Sequence, residues 1–228
     1  MLHHSFHNHT QRCKHAEGTV ADYVHAARKA GLQSFGMSDH IPFPGDRHWF
    51  HVRMPYDQLD DYASEVLDER NASADMEIFL GAECEWLPEF HDYYPYLLEE
   101  KGFHYLIGGP HWSPMGDGTW LGYSKLKKPR QLLMYSRYVI DLIVSGMFTY
   151  IAHPDVCFAG YERWDEDARS CSLDIIRCAR AYDLPLEMNA NGMRKEGTGT
   201  IPGTCPLREF WELAAQEGVR AVIGSDAH

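Results

Sequence analysis

The chain has 228 residues, a length that one α/β barrel fills as a single unit or that two small domains would share. Its 33 acidic residues against 21 basic give a net charge of −12, which excludes general binding to a nucleic acid backbone or to an anionic membrane surface. Hydrophobic residues make up 44%, ordinary for a globular protein, and no apolar run approaches the ~20 residues needed to cross a bilayer.

Strand-like and helix-like patterns alternate along the whole chain. Residues 2–9 form the first strand candidate and 34–40 the second. The helix between them starts at Thr19, with Asp22 completing a capping-box pattern, Val20, Tyr23, Val24 and Ala27 at helical spacing, and Gly31 as its stop. A helix over 56–70 leads to a strand over 77–85, and a weaker helical pattern over 90–102 leads to a strand over 104–111. Leu132, Tyr135, Val139, Leu142 and Ile143 mark one face of a helix over 130–145, followed by a strand over 148–153. A helix over 173–182, a strand over 185–191, a Gly-rich loop over 195–203, a helix around Leu207, Phe210, Trp211 and Ala214, and a strand over 221–225 complete the series.

This alternation predicts parallel strands joined by right-handed crossovers. Polar residues at each strand's C-terminal end favour a barrel over an open sheet, because a barrel gathers all its strand ends around one site. The chain is therefore expected to form a single domain over 1–228. It ends at His228 directly after the seventh strand, and a covering helix is expected to follow in the natural chain, since a bare last strand exposes an edge. The six cysteines form no C-x-x-C pair, and the N-terminus has no charged and apolar leader pattern; a cytoplasmic protein with reduced thiols is expected.

Chemistry concentrates at those strand ends. Residues two apart on a strand face the same side, so His7 and His9 can reach one ion together, and Asp226 and His228 repeat the spacing. Ser38-Asp39-His40, Gly81-Ala82-Glu83-Cys84-Glu85, Gly108-Gly109-Pro110-His111 and Ala152-His153-Pro154-Asp155 each follow an apolar run. Imidazole together with carboxylate suits zinc, iron, manganese or nickel, and spacing alone does not choose among them. His25, His48, His51, His91 and His104 read as ordinary structural or surface histidines, with His3 and His4 undecided.

The motif series H-x-H at His7 and His9, a following His15, D-H at Asp39-His40, G-x-E at Gly81–Glu83, isolated His111 and His153, and D-x-H at Asp226–His228 resembles the polymerase and histidinol phosphatase (PHP) superfamily. The resemblance implies a distorted seven-stranded (β/α)7 TIM-like barrel holding two or three divalent metal ions, zinc, iron or manganese. It implies one ion held by His7, His9, Glu83 and Asp226, with Glu83 bridging to a second at His111 and His153, and a third held by His15, His40 and His228. Glu85 and Asp39 are expected to support ligands rather than to bind an ion.

Such a cluster makes hydrolysis of a small phosphate monoester the expected reaction, through a metal-bound hydroxide, with Glu83, Asp226 and His228 as the catalytic set. The segment Glu187–Lys195 is similar to one in histidinol phosphatases, which makes L-histidinol phosphate the named candidate substrate. Glu187, Asn189 and Asn191 are expected on one strand face, with Arg194 clamping the phosphate and Arg163 as a second candidate. The approach Gly108-Gly109-Pro110 and the segment Trp112–Tyr123 depart from that pattern. A phosphoesterase acting on a nucleotide or another phosphoester, and a metal-stabilised module without turnover, are the alternatives. No nucleic acid or membrane partner is expected, and the sequence leaves the oligomeric state open.

Overall fold

The computed structural model describes residues 3–197 and 205–228. Leu2, placed above in the first strand, and residues 198–203 of the Gly-rich segment lie outside the described residues. The chain divides into two compact units, one formed by Met1–Ile107 with Ser225–His228 and the other by Gly108–Gly224.

The first unit is a run of strands and covering helices in the order β1 (His4–Ser5), α1 (Val20–Lys29), β2 (Ser34–Met37), α2 (Leu59–Ala72), β3 (Glu77–Cys84), α3 (Tyr93–Pro95) and β4 (Tyr105–Gly108). Strand β2 pairs in parallel with both β1 and β3, and β4 follows β3 in the sheet. Thr19 caps α1 as its sequence predicts: its hydroxyl accepts the Asp22 N–H, and the Asp22 carboxylate accepts the Thr19 N–H at 2.8 Å. Val20, Val24 and Ala27 turn into the core.

Tyr105 explains the glycine of the G-x-E motif. Its ring lies against Gly36 and Gly81, where any Cβ would collide with it, and its hydroxyl donates to the Phe6 carbonyl at 2.7 Å. Gly81 is thus a packing requirement two residues before Glu83.

The first strand is shorter than its sequence pattern. After Ser5 the ladder gives way to side-chain bonds, with the Asn8 N–H accepted by Ser38 Oγ at 3.1 Å and Asn8 Nδ2 donating to the Gly36 carbonyl at 2.8 Å. Asn8 then forms an isolated parallel bridge with Ala227, and the His9 N–H donates to the Ala227 carbonyl at 2.9 Å. The two ends of the chain therefore meet at the H-x-H and D-x-H motifs.

The helical pattern over 90–102 resolves into three short pieces: a 3-10 turn Pro88–Phe90, α3, and a π-helical turn Tyr96–Glu100. Pro88 and Pro95 lack the N–H that a uniform ladder would use.

The second unit contains a hairpin of β5 (Trp112–Pro114) and β6 (Trp120–Gly122), α4 (Pro129–Val144), β7 (Tyr150–Ile151), α5 (Glu166–Ala181), β8 (Leu186–Asn189), α6 (Ala190–Gly197), α7 (Arg208–Glu217) and β9 (Ala221–Gly224). Strand β8 is parallel to both β7 and β9. Where the sequence offers only an irregular segment, β5 and β6 run antiparallel, with the turn held by left-handed Gly116 and Gly118 and by Asp117, whose carboxylate accepts the Thr119 N–H at 3.0 Å.

Two helix boundaries correct the sequence expectation. Helix α5 starts seven residues earlier than its apolar stripe indicates, because Asp165 caps it by accepting the Ala168 N–H at 3.0 Å. The expected strand over 185–191 ends at Asn189, whose Oδ1 accepts the Gly192 N–H at 3.1 Å and starts α6 there. Asn191 is consequently a helix residue and does not share a strand face with Glu187 and Asn189, and Lys195 belongs to α6 rather than to a loop. Among the described residues, no helix is long and apolar enough to cross a membrane.

Candidate metal centre

Within the first unit, the strand ends and the turn after Gln11–Cys13 bring together seven of the predicted ligands: His7, His9, His15, His40, Glu83, Asp226 and His228. His7, His9, Glu83 and Asp226 are buried, Glu83 at 1% exposure and both histidines at 0%. Glu83 Oε2 lies 3.2 Å from His7 Nε2, 3.4 Å from His9 Nε2 and 3.3 Å from His40 Nδ1. Asp226 Oδ1 faces the same pair from the chain's other end, 3.6 Å from His7 Nε2 and 3.3 Å from His9 Nε2.

A second grouping joins it. His15, His40 and His228 present ring nitrogens within 4.8 Å of one another, and His9 stacks on both His40 and His228 with centroids 4.4 and 4.3 Å apart. His15 is oriented by its own turn, with Nδ1 2.7 Å from the Cys13 carbonyl.

The donor set fits divalent cations. His9 is wholly buried, yet neither ring nitrogen makes a well-aligned hydrogen bond, although Nε2 sits between two carboxylates. Buried polar groups are ordinarily satisfied, so an imidazole nitrogen and two carboxylate oxygens converging without a hydrogen bond form a cradle for a positive ion. The electrostatics agree. Burial opposes ionisation of Asp226, but the surrounding rings of His7, His9 and His228 hold its carboxyl well below the usual range. Burial likewise lowers the His9 pKa, and the carboxylates of Asp226 and Asp39 more than reverse this, raising it above its ordinary value. Burial and the His9 ring draw His228 down to about 4, so it is a neutral, ligand-competent imidazole at pH 7.

Asp39 is fastened to the segments that carry His9 and His40. Its carboxylate accepts the Thr10 N–H at 3.1 Å, the Thr10 hydroxyl, and the His40 N–H at 2.8 Å, and lies 3.7 Å from His9 Nδ1. Glu85 pairs with the buried Arg53 guanidinium at 2.9 Å. Arg53 lies in a stretch without periodicity and carried no signal of this role. Cys13 also escaped the sequence reading of the site; its sulfur lies within 4.8 Å of ring nitrogens of His9 and His228. Burial and the Asp39 charge push that thiol up to about 12, so it is a neutral neighbour.

In the second unit, His111 and His153 meet edge-on with centroids 4.9 Å apart. His153 has a left-handed backbone, φ 28°, and its N–H donates to Glu187 Oε2 at 3.2 Å. Glu187 is fully buried and also accepts from Asn189 Nδ2 at 3.1 Å, so the strand face noted in the sequence braces His153. Gly224 on β9 leaves the room that the Glu187 carboxylate fills. Of the two candidate phosphate clamps, Arg194 is exposed on α6 rather than on a loop. Arg163 lies over the Tyr161 ring at 4.5 Å and 3.8 Å from Asp165 Oδ2.

A Deinococcus radiodurans protein named "Probable histidinol-phosphatase" is 28% identical over 234 residues, covering 97% of this chain and 85% of its own length. Among solved structures, a Listeria monocytogenes protein provisionally named a histidinol phosphatase superposes with a TM-score of 0.81 at 19% identity, covering 99% of this chain and 95% of its own. The Lactococcus lactis histidinol phosphate phosphatase, complexed with zinc, L-histidinol and phosphate, superposes with a TM-score of 0.72 at 17% identity, over 99% of this chain and 86% of its own. These likenesses show the fold, the α/β class with the (β/α)7 TIM-like barrel that the resemblance to the PHP superfamily implied. The PHP domain pattern matches residues 5–191, a span holding His7, His9, His15, His40, Glu83, His111 and His153, and this chain therefore belongs to the PHP domain family.

Proposed function

We propose that this protein is a metal-dependent phosphatase that hydrolyses a small phosphate monoester, with L-histidinol phosphate as its substrate. The observation that carries the reading is the buried convergence of His7, His9, His40, Glu83 and Asp226, with both His9 ring nitrogens lacking hydrogen bonds. Support for the substrate comes from the relatives, which are named for histidinol phosphate chemistry.

In this reading His7, His9, Glu83 and Asp226 hold one divalent ion and His15, His40 and His228 hold another, while His111 and His153 are ligands of a further ion. Zinc, iron and manganese all suit these donors, with zinc favoured by the Lactococcus lactis complex. When bound, such ions neutralise phosphate oxygens and lower the pKa of water.

The chain's own groups do the rest. Glu83 and Asp226 enter the site as buried carboxylates that balance the cations, and Asp39 fixes the His40 backbone through its N–H. Arg194 and Arg163 present planar forks suited to a phosphate, and Arg163 also lies over the Tyr161 ring and near the Asp165 carboxylate. A cytoplasmic setting accords with its free cysteines.

The test is phosphate release from L-histidinol phosphate and a panel of nucleotides and sugar phosphates, using protein stripped and reloaded with zinc or manganese. Histidinol phosphate should lead the panel, and Glu83→Gln should lower its turnover by roughly 100-fold. Release of no phosphate from any monoester by metal-loaded wild type would overturn the proposal.

A further inference from the structure

We propose that Arg53 is a positioning residue for the metal site, one that locks the His40 loop to the end of β3. The inference rests on the metal-site reading above and assigns to it a residue outside the ligand set.

Arg53 is a guanidinium sealed in the protein, 1% exposed, between two segments that carry ligands. Its Nη1 donates to the carbonyl of Ile41, the residue after His40, at 2.7 Å. Its Nη2 donates to Glu85, two residues after Glu83, at 2.9 Å. Aromatic rings confine the fork: the guanidinium carbon is 5.1 Å from the Phe43 ring centre and 5.5 Å from that of Trp49.

On the ligand side the same two segments are joined through main chain. The Glu83 N–H is shared by the Ser38 and Asp39 carbonyls at 3.1 Å each, and the Ile41 N–H reaches the Glu83 carbonyl at 3.4 Å. The His40 and Glu83 side chains then stand 3.3 Å apart. Main chain closes one side of this pair of segments and the Arg53 fork closes the other, so the separation of two ligands is set at both.

Stability alone does not account for the arrangement. A buried ion pair repays little more than its own desolvation, and apolar residues of similar volume commonly replace one with no loss of stability. What an apolar pair cannot reproduce is a planar fork holding a carbonyl and a carboxylate at fixed separation, and a lysine ammonium on a flexible stem cannot span both. Groups that orient ligands from behind typically contribute 10- to 100-fold to metal affinity.

The experiment compares wild type, Arg53→Lys, and the paired Arg53→Met/Glu85→Leu variant. The apo proteins are melted in chelator, and zinc affinity and stoichiometry are then measured by competition with a chromophoric chelator. Both variants should melt within about 5 °C of wild type as apo proteins, yet bind zinc about 10- to 100-fold more weakly.

Wild-type zinc affinity in the paired variant would overturn the proposal, because the fork would then be core filling. Failure of that variant to fold would also overturn it, since the pair would hold the fold rather than the ligands. If wild type itself binds no zinc, manganese or iron, the metal-site reading fails, and the wild-type titration shows this without reference to the variants.

Discussion

Asp39→Ala offers the sharpest test of how the cluster is built, because Asp39 coordinates nothing in the proposed ligand set. Its buried carboxylate satisfies three donors: the Thr10 N–H, the Thr10 hydroxyl and the His40 N–H. A buried donor left without a partner costs about 1–3 kcal/mol, and the hydroxyl can turn to another acceptor, so the two backbone N–H groups set an expected loss of about 2–6 kcal/mol. For a chain of this size each kcal/mol lowers Tm by about 2–4 °C, which gives a drop of roughly 4–24 °C. The assay is calorimetry of the metal-stripped protein, so that lost metal binding does not inflate the result. Asp39→Asn keeps the volume but turns an N–H₂ toward one of the donors, and should fall between the alanine variant and wild type. An apo Tm for Asp39→Ala within about 2 °C of wild type would refute the claim that this carboxylate fastens the Thr10 and His40 backbones.

Two further outcomes follow from the same geometry. Chelation should lower the melting temperature of the native protein, and readdition of zinc at 1,000 times its Kd should restore about 4 kcal/mol per site; a Tm that ignores free zinc between nanomolar and micromolar would contradict the ligand assignment. His104, away from the cluster, accepts the Leu80 N–H at 3.0 Å through Nδ1, and burial holds its pKa below the ordinary value. A depressed histidine adds stability that is present above its unfolded pKa and is lost as pH falls through the folded one. Wild type should therefore lose Tm relative to His104→Gln between pH 7.5 and 5 in chelator, and an unchanged difference across that range would sink the assignment.

Local signals survived folding best. The α1 capping box needs only Thr19 and Asp22, three residues apart, and both of its bonds form. The shared face of His7 and His9 follows from the pleat, although Asn8 carries a single bridge instead of a long strand ladder. Interactions that depend on distant partners stayed hidden. Arg53 meets Glu85 across 32 residues, and nothing in His51–Pro55 marks it as buried. Asn189 could be read as the last residue of a strand face or as the cap of a helix, and only its bond to the Gly192 N–H decides the second. The β5–β6 hairpin was obscured because its strands are three residues each, too short for period-two alternation to emerge.

The histidine and carboxylate series is legible for a different reason: all its residues but His15, which follows the 3-10 turn Gln11–Cys13, lie at or just past a strand end, and the pattern of strand ends is written into the alternation of apolar runs. What the series cannot convey is how those ends are aimed. Asp226 and His153 both hold left-handed backbones, at φ 44° and 28°, a conformation that costs a non-glycine residue about 1–3 kcal/mol. Each is braced by neighbours. Ser225 Oγ contacts the His7 carbonyl at 2.8 Å and Asn8 Oδ1 at 2.7 Å, Ala227 exchanges backbone hydrogen bonds with His7 and His9, and Glu187 takes the His153 N–H. Glycine would adopt these angles without strain but would remove the carboxylate or imidazole, so the polar braces do what residue choice cannot. In the first unit they tie the H-x-H segment to the D-x-H segment more than 200 residues later, and the placement of Asp226 opposite Glu83 depends on that junction as much as on either motif.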